Sequence, residues 1–132
     1  MKSTGNKGQK TIEKKLYNLE TIFDMASGDF MFVKRLVSEF IEDTPGTINA
    51  MFDAFENWDY DALKKISHRL KPVIKTLNIH SIEADVNDID SGNDVANTEK
   101  KINHIAAVLN EVIAHLKKDV EKIPLSTSSQ SS

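Results

Sequence analysis

Several features that would define other protein classes are missing from this chain. It has no cysteine, which excludes a disulfide framework and a thiolate metal site. Only five glycines and three prolines occur in 132 residues, and no stretch alternates apolar and polar residues like a half-buried strand. No apolar run approaches the ~18 residues of a membrane span, and the polar N-terminus lacks the apolar segment of a signal peptide. We therefore expect one soluble, cytoplasmic, all-α domain.

Charge and motif content exclude further functions. The net charge of −3 argues against a dedicated nucleic-acid binder. The sequence contains no H-E-x-x-H zinc motif and no Walker or other glycine-rich nucleotide motif. His104 and His115 would lie about 16 Å apart along one helix, too far to share a metal. We therefore expect no metal or cofactor on this chain, no enzymatic activity and no ATP-dependent kinase activity of its own.

Polar segments flank a central region with helical periodicity. Residues 1–10 and 124–132 are polar and are predicted to be disordered tails, which leaves 11–123 as the helical domain. Within that domain, apolar residues recur at steps of three and four in four substantial stripes. Four such stripes need one shared core. The pattern therefore predicts an antiparallel up-down four-helix bundle with a short extra N-terminal helix.

Capping residues indicate where the first two helices begin. Asn18 is a candidate N-cap for a short helix over Leu19–Ala26, and Asp29 is a candidate for the start of the longest helix. Pro45 and Gly46 interrupt this longest helix, and proline removes a backbone hydrogen bond. The apolar stripe nevertheless keeps its phase across the proline. This favours one kinked helix over two separate ones.

The remaining helices are bounded in the same way. Asp59 is the predicted N-cap of the third helix, and Asn78 can end it in a left-handed conformation. Ser81 is a candidate cap for the fourth helix. The last helix is predicted to run from about Thr98 to about Lys122.

The third predicted helix carries a histidine on its outward side. His68 falls about 170° from the centre of the apolar stripe on a helical wheel. Lys64, Lys71 and Lys75 lie within about 60° of His68 and could donate hydrogen bonds to an anion bound there. A lone outward histidine is more often simply solvated, so the residues that follow it decide the interpretation.

The run HRLKPVIKTL, from His68 to Leu77, resembles the signature of the histidine-containing phosphotransfer (HPt) domain family. That signature is H-x-L-K-G, then small residues, then L-G. Here Pro72 replaces the usual glycine, as in an H-x-L-K-P variant of the family. Val73-Ile74 replaces the small pair, and Asn78 replaces the second glycine.

The resemblance covers about 19–116, because the surrounding helical pattern also fits, and it implies a function. The chain would be a phosphorelay intermediate that accepts a phosphoryl group on His68 from a receiver aspartate and passes it to another receiver. Lys71 would contact the phosphoryl oxygens. Asp90, 22 residues after His68, matches the position of the family's imidazole-orienting residue. An ordinary acid at a helix end is an equally good interpretation of Asp90.

The resemblance also implies partners. These would be response-regulator receiver domains, one of them from a hybrid histidine kinase, with Mg²⁺ on the receiver only. We expect a monomer that binds neither nucleic acid nor membrane. The predicted receiver contacts are Lys64, Lys71, Pro72 and Lys75, with Leu70 buried beneath them.

Two other functions remain open from the sequence. One is a degenerate docking module that binds receivers without transfer, in which Pro72 blocks the close approach that glycine allows. The other is the dimerisation and phosphoacceptor region of a histidine kinase, because that region's H-box looks a little like His68-x-Leu70-Lys71 followed by proline.

Overall fold

All regular secondary structure in the described part of the chain is helical. The structure is a computed structural model that describes residues 16–93 and 95–123. Its elements are α1 (Glu20–Ala26), α2 (Phe30–Glu56), α3 (Tyr60–Leu77), a 3-10 turn (His80–Ile82), α4 (Glu83–Ser91), a second 3-10 turn (Val95–Asn97) and α5 (Thr98–Glu121). No strand occurs in these ranges, so the all-α prediction is confirmed. The predicted tails, 1–10 and 124–132, lie outside the described residues.

The helices pack around a shared apolar core. α3 packs on α2 and α4, α5 packs on α2 and α4, and α1 contacts α2 and α3. Every helix contributes deeply buried side chains, among them Ile22, Val33, Leu63, Val86 and Leu109. None of the helices built from residues 16–93 and 95–123 is long and apolar enough to cross a membrane.

α2 passes through Pro45 and Gly46 without a break, as the continuous stripe predicted. The Asp29 side chain caps the start of the helix by accepting a backbone N–H of its first turn. Pro45 and Gly46 are exposed, whereas Thr44 and Ile48 on either side are buried. The proline therefore points to solvent, where the lost hydrogen bond disturbs the core least.

Two predicted helix starts need correction. Ser81 does not cap α4, because the 3-10 turn His80–Ile82 leads directly into that helix and Ile82 occupies the cap position. α1 begins at Glu20, one residue later than predicted. The Asn18 side chain still serves this end, since its Oδ1 accepts the Glu20 N–H at 2.7 Å.

Asn78 joins the end of α3 to the segment that precedes α1. Its backbone is left-handed, with φ 56°, as expected for a C-cap residue. Its Nδ2 donates to the Asn18 carbonyl at 3.0 Å and to Thr21 Oγ1 at 3.1 Å. The Asn18 N–H in turn donates to the Leu77 carbonyl at 2.9 Å. One asparagine thus supplies both the helix ending and the anchor for α1.

Tyr17 anchors the same segment to the other side of the fold. Its hydroxyl donates to Asp119 Oδ2 near the end of α5. Burial of the Tyr17 ring, followed by the bond to Asp119, raises the pKa of this phenol above its ordinary value. The segment before α1 is therefore held at both α3 and α5.

The two roles of Asn78 can be separated by substitution. Asn78→Ala should lower the free energy of unfolding by about 2–3 kcal/mol, because it removes both side-chain hydrogen bonds and forces alanine into a left-handed conformation. Asn78→Gly removes only the bonds and should be about 1 kcal/mol more stable than the alanine variant. Urea denaturation measures both. An alanine variant as stable as the glycine variant would contradict this account of the cap.

Candidate functional site

α3 holds His68 at its middle, on the solvent side. The Asp59 side chain caps the helix by accepting the Ala62 N–H at 3.1 Å, as the sequence predicted. The His68 side chain is 73% exposed, whereas Ser67 beside it is fully buried. The helical period alone therefore placed the imidazole correctly.

α4 brings a carboxylate to this imidazole. Asp90, the residue before the last of α4, has its Oδ2 3.4 Å from His68 Nδ1. The same oxygen accepts a hydrogen bond from Lys71 Nζ at 3.0 Å. The structure therefore brings together His68, Lys71 and Asp90, the three residues that the sequence singled out for chemistry.

The electrostatics of the three residues follow from these contacts. The Lys71 hydrogen bond, and to a smaller extent the His68 contact, lower the pKa of Asp90. Asp90 is therefore ionised at any pH above about 4. An ionised carboxylate can only accept, so a neutral His68 ring facing it carries its hydrogen on Nδ1. The Nε2 lone pair then points away from Asp90 and is open to solvent.

The lysines near His68 do not form the uniform basic surround that the helical wheel suggested. Lys64 and Lys75 are exposed, but the Lys71 ammonium is engaged by Asp90. The surroundings of His68 thus include an anion, supplied by a neighbouring helix that a wheel of α3 cannot show. Leu70 is buried beneath this face.

Pro72 does not interrupt α3. It lies four residues after His68 and has no N–H to donate to the His68 carbonyl. The helix continues to Leu77, and Thr76 Oγ1 donates to the Pro72 carbonyl at 2.8 Å. The departure from the family's glycine is therefore compatible with an intact helix.

A groove of about 660 Å³ lies on the flank of α3 that faces α2 and α1. Its apolar lining includes Ile22, Leu36 and Val73, and its charged lining residues are Glu39, Asp43 and Arg69. Arg69 is the neighbour of His68 in sequence. The sequence analysis missed this groove, because helical periodicity does not show where two helices leave space between them.

The other histidines lie on other parts of the surface. His80 Nδ1 is 3.5 Å from Glu83 Oε1, and His104 Nδ1 contacts Asp85 Oδ2. No carboxylate within the described ranges pairs with His115, which is exposed. Across residues 16–93 and 95–123, no group of three or more histidine, cysteine, aspartate or glutamate side chains could hold a metal ion.

Comparison with protein-family models, curated proteins and solved structures finds no match to this chain. Arguments about function therefore rest on the residues and their geometry.

Ser67 bears on how closely α3 and α4 can pack. Its side chain is fully buried, and its Oγ has no hydrogen-bond partner within the described structure. On the helical wheel it lies about 40° from Lys71, toward α4. An unpaired buried hydroxyl is unfavourable, so the benefit of serine here is its small volume.

This interpretation predicts opposite effects for two substitutions. Ser67→Ala should leave the free energy of unfolding unchanged or raise it by up to about 1 kcal/mol, because it removes the unpaired hydroxyl. Ser67→Leu should lower it by about 1–3 kcal/mol, because the larger side chain overpacks the interface. Urea denaturation measures both, with Ser81→Ala as the exposed-serine control. A clear loss of stability in Ser67→Ala would mean that the hydroxyl has a partner.

Proposed function

We propose that this protein is a phosphorelay intermediate of the HPt type, with His68 as its phosphoacceptor. The observation that carries the proposal is the trio at α3 and α4. An exposed imidazole has one nitrogen against an ionised carboxylate, the other open to solvent, and a lysine one turn away. The motif resemblance supports it independently. We further propose that the helices form an antiparallel up-down bundle and that the protein works as a cytoplasmic monomer.

The transfer step needs little from this chain beyond orientation and charge. The Nε2 lone pair of His68 attacks the phosphorus of a receiver's aspartyl phosphate in line. The N–P bond forms as the P–O bond breaks, and the electron pair leaves with the receiver carboxylate. The Nδ1 hydrogen stays on the ring, which gains positive charge, and Asp90 stabilises that charge by accepting the N–H. Mg²⁺ is held by the receiver, and this chain supplies no cofactor.

Lys71 gives the incoming group its counter-charge. It lies three residues after His68, on the same side of α3, and its ammonium is partly exposed beside Asp90. An ammonium has three donors, so Lys71 can keep the Asp90 bond and also donate to a phosphoryl oxygen. A fixed donor next to developing charge is the kind of group that accelerates phosphoryl transfer.

The receiver has two kinds of surface to bind around His68. Lys64 and Lys75 are exposed on one flank and suit the acidic surround of a receiver aspartate. The groove lined by Arg69, Pro72 and Val73 lies on the other flank and offers apolar area. Pro72 lies between the two, which makes it the residue a receiver backbone meets.

The chemistry can be tested by incubation with a phosphorylated receiver. The protein should acquire label that is acid-labile and alkali-stable, as a phosphohistidine is. His68→Gln should abolish labelling, whereas His115→Gln, a matched change at another exposed histidine, should leave it unchanged. Lys71→Ala should slow transfer by about 10²-fold, because it removes one positioned charge donor.

Two outcomes would contradict the proposal in different ways. A wild-type protein that binds receivers but is never labelled would be a docking module, with Pro72 as its mark. Labelling that persists in His68→Gln would move the acceptor to another histidine. Circular dichroism of each variant confirms that the helices are intact.

The docking surface can be tested by charge reversal. Lys64→Glu combined with Lys75→Glu should weaken receiver binding and flatten its dependence on salt, because rim charges govern association. Lys117→Glu combined with Lys122→Glu makes the same charge change on exposed residues at the end of α5 and should have little effect. Binding is measured by titration at low and high salt. Equal losses in both double variants would show that net charge, and not this surface, controls binding.

A further inference from the structure

α4 presents a second carboxylate on its opposite flank. Asp85 lies five residues before Asp90, which places the two about 140° apart around the helix. Asp90 meets His68 of α3, whereas Asp85 meets His104 of α5. α4 therefore lies between two histidine-bearing helices and provides one carboxylate to each.

The two imidazoles are held in the same way. In each pair the ring contacts an aspartate Oδ2 through Nδ1. The His104 side chain is 49% exposed and the Asp85 side chain 21% exposed, against 73% and 19% for His68 and Asp90. An ionised carboxylate only accepts, so a neutral His104 ring carries its hydrogen on Nδ1 and keeps the Nε2 lone pair available.

Cationic side chains also lie close to His104. Lys100, one turn earlier on the same face of α5, is exposed. Lys101 Nζ lies 3.8 Å from Asp88 Oδ2, on the same pair of helices. An anion arriving at His104 Nε2 would therefore find an accessible ammonium nearby. No third ligand accompanies His104 and Asp85 among the described residues, which argues against a metal as the group bound there.

We propose that His104, oriented by Asp85, is a second phosphoryl-accepting imidazole on the opposite flank of α4. Its donors would be small reactive phosphoryl compounds, acyl phosphates or phosphoramidates. With phosphoramidate, the Nε2 lone pair forms the N–P bond while the donor's P–N bond breaks and ammonia leaves. The Nδ1 hydrogen remains on the ring, now positively charged, and Asp85 accepts it. This inference does not depend on transfer at His68.

The test uses phosphoramidate on the full chain carrying His68→Gln, so that label at His68 does not interfere. Mass spectrometry locates the label, and ³¹P NMR distinguishes the Nδ1 from the Nε2 isomer. His115 is the internal control, because it lies exposed on the same helix with no carboxylate paired to it in the described structure. His104 should react about tenfold or more faster than His115, and only at Nε2.

Asp85→Asn should remove both the rate advantage and the preference for Nε2 at His104. Asp88→Asn is the matched control: it removes a neighbouring carboxylate that contacts Lys101 and should leave His104 labelling unchanged. Equal rates at His104 and His115, or a mixture of isomers at His104, would overturn the proposal without any change at Asp85. Labelling at His104 that is unaltered by Asp85→Asn would overturn it as well.

Discussion

The register of α4 against α3 is the constraint on which the candidate site depends. A slide of one residue moves a helical side chain by about 1.5 Å along the axis and about 100° around it, which would take Asp90 away from both His68 and Lys71. The register is set by buried contacts, with Ile89 next to Asp90 in α4 and the small Ser67 next to His68 in α3. The apolar interface therefore positions the polar site.

Local features of the fold were predictable because their causes are local. The stripe of α2, the caps at Asp59 and Asn78 and the outward direction of His68 all follow from neighbouring residues along one helix. Ser81 was wrong, because a 3-10 turn that runs straight into α4 leaves no separate cap position. The contacts of Asp90 and Asp85 depend on how two helices meet. Periodicity fixes each helix about its own axis but not its register against another. The resemblance suggested Asp90 as a partner of His68, and nothing in the sequence indicated that Asp85 would meet His104.

The departures from the family signature occur where the backbone can accommodate them. Asn78 adopts the left-handed conformation that glycine would supply, and its side chain adds hydrogen bonds that glycine lacks. Pro72 is exposed, so its missing N–H affects the His68 carbonyl at the surface and not a buried one. Val73 is partly buried along the groove, where its extra volume adds apolar lining. These substitutions alter what a partner would touch more than they alter the helix.

Lys71 links the resting site to the phosphorylated state that we propose. A phosphoryl group on His68 would bring about two negative charges next to the Asp90 carboxylate, and like charges this close repel strongly when partly shielded from water. The ammonium already lies 3.0 Å from Asp90, so it can neutralise both anions without a large movement. The contact that lowers the pKa of Asp90 in the free protein thus also allows orienting carboxylate and phosphoryl group to occupy one site. A carboxylate that orients the imidazole therefore requires a cation one turn away, which explains why the two residues are found together.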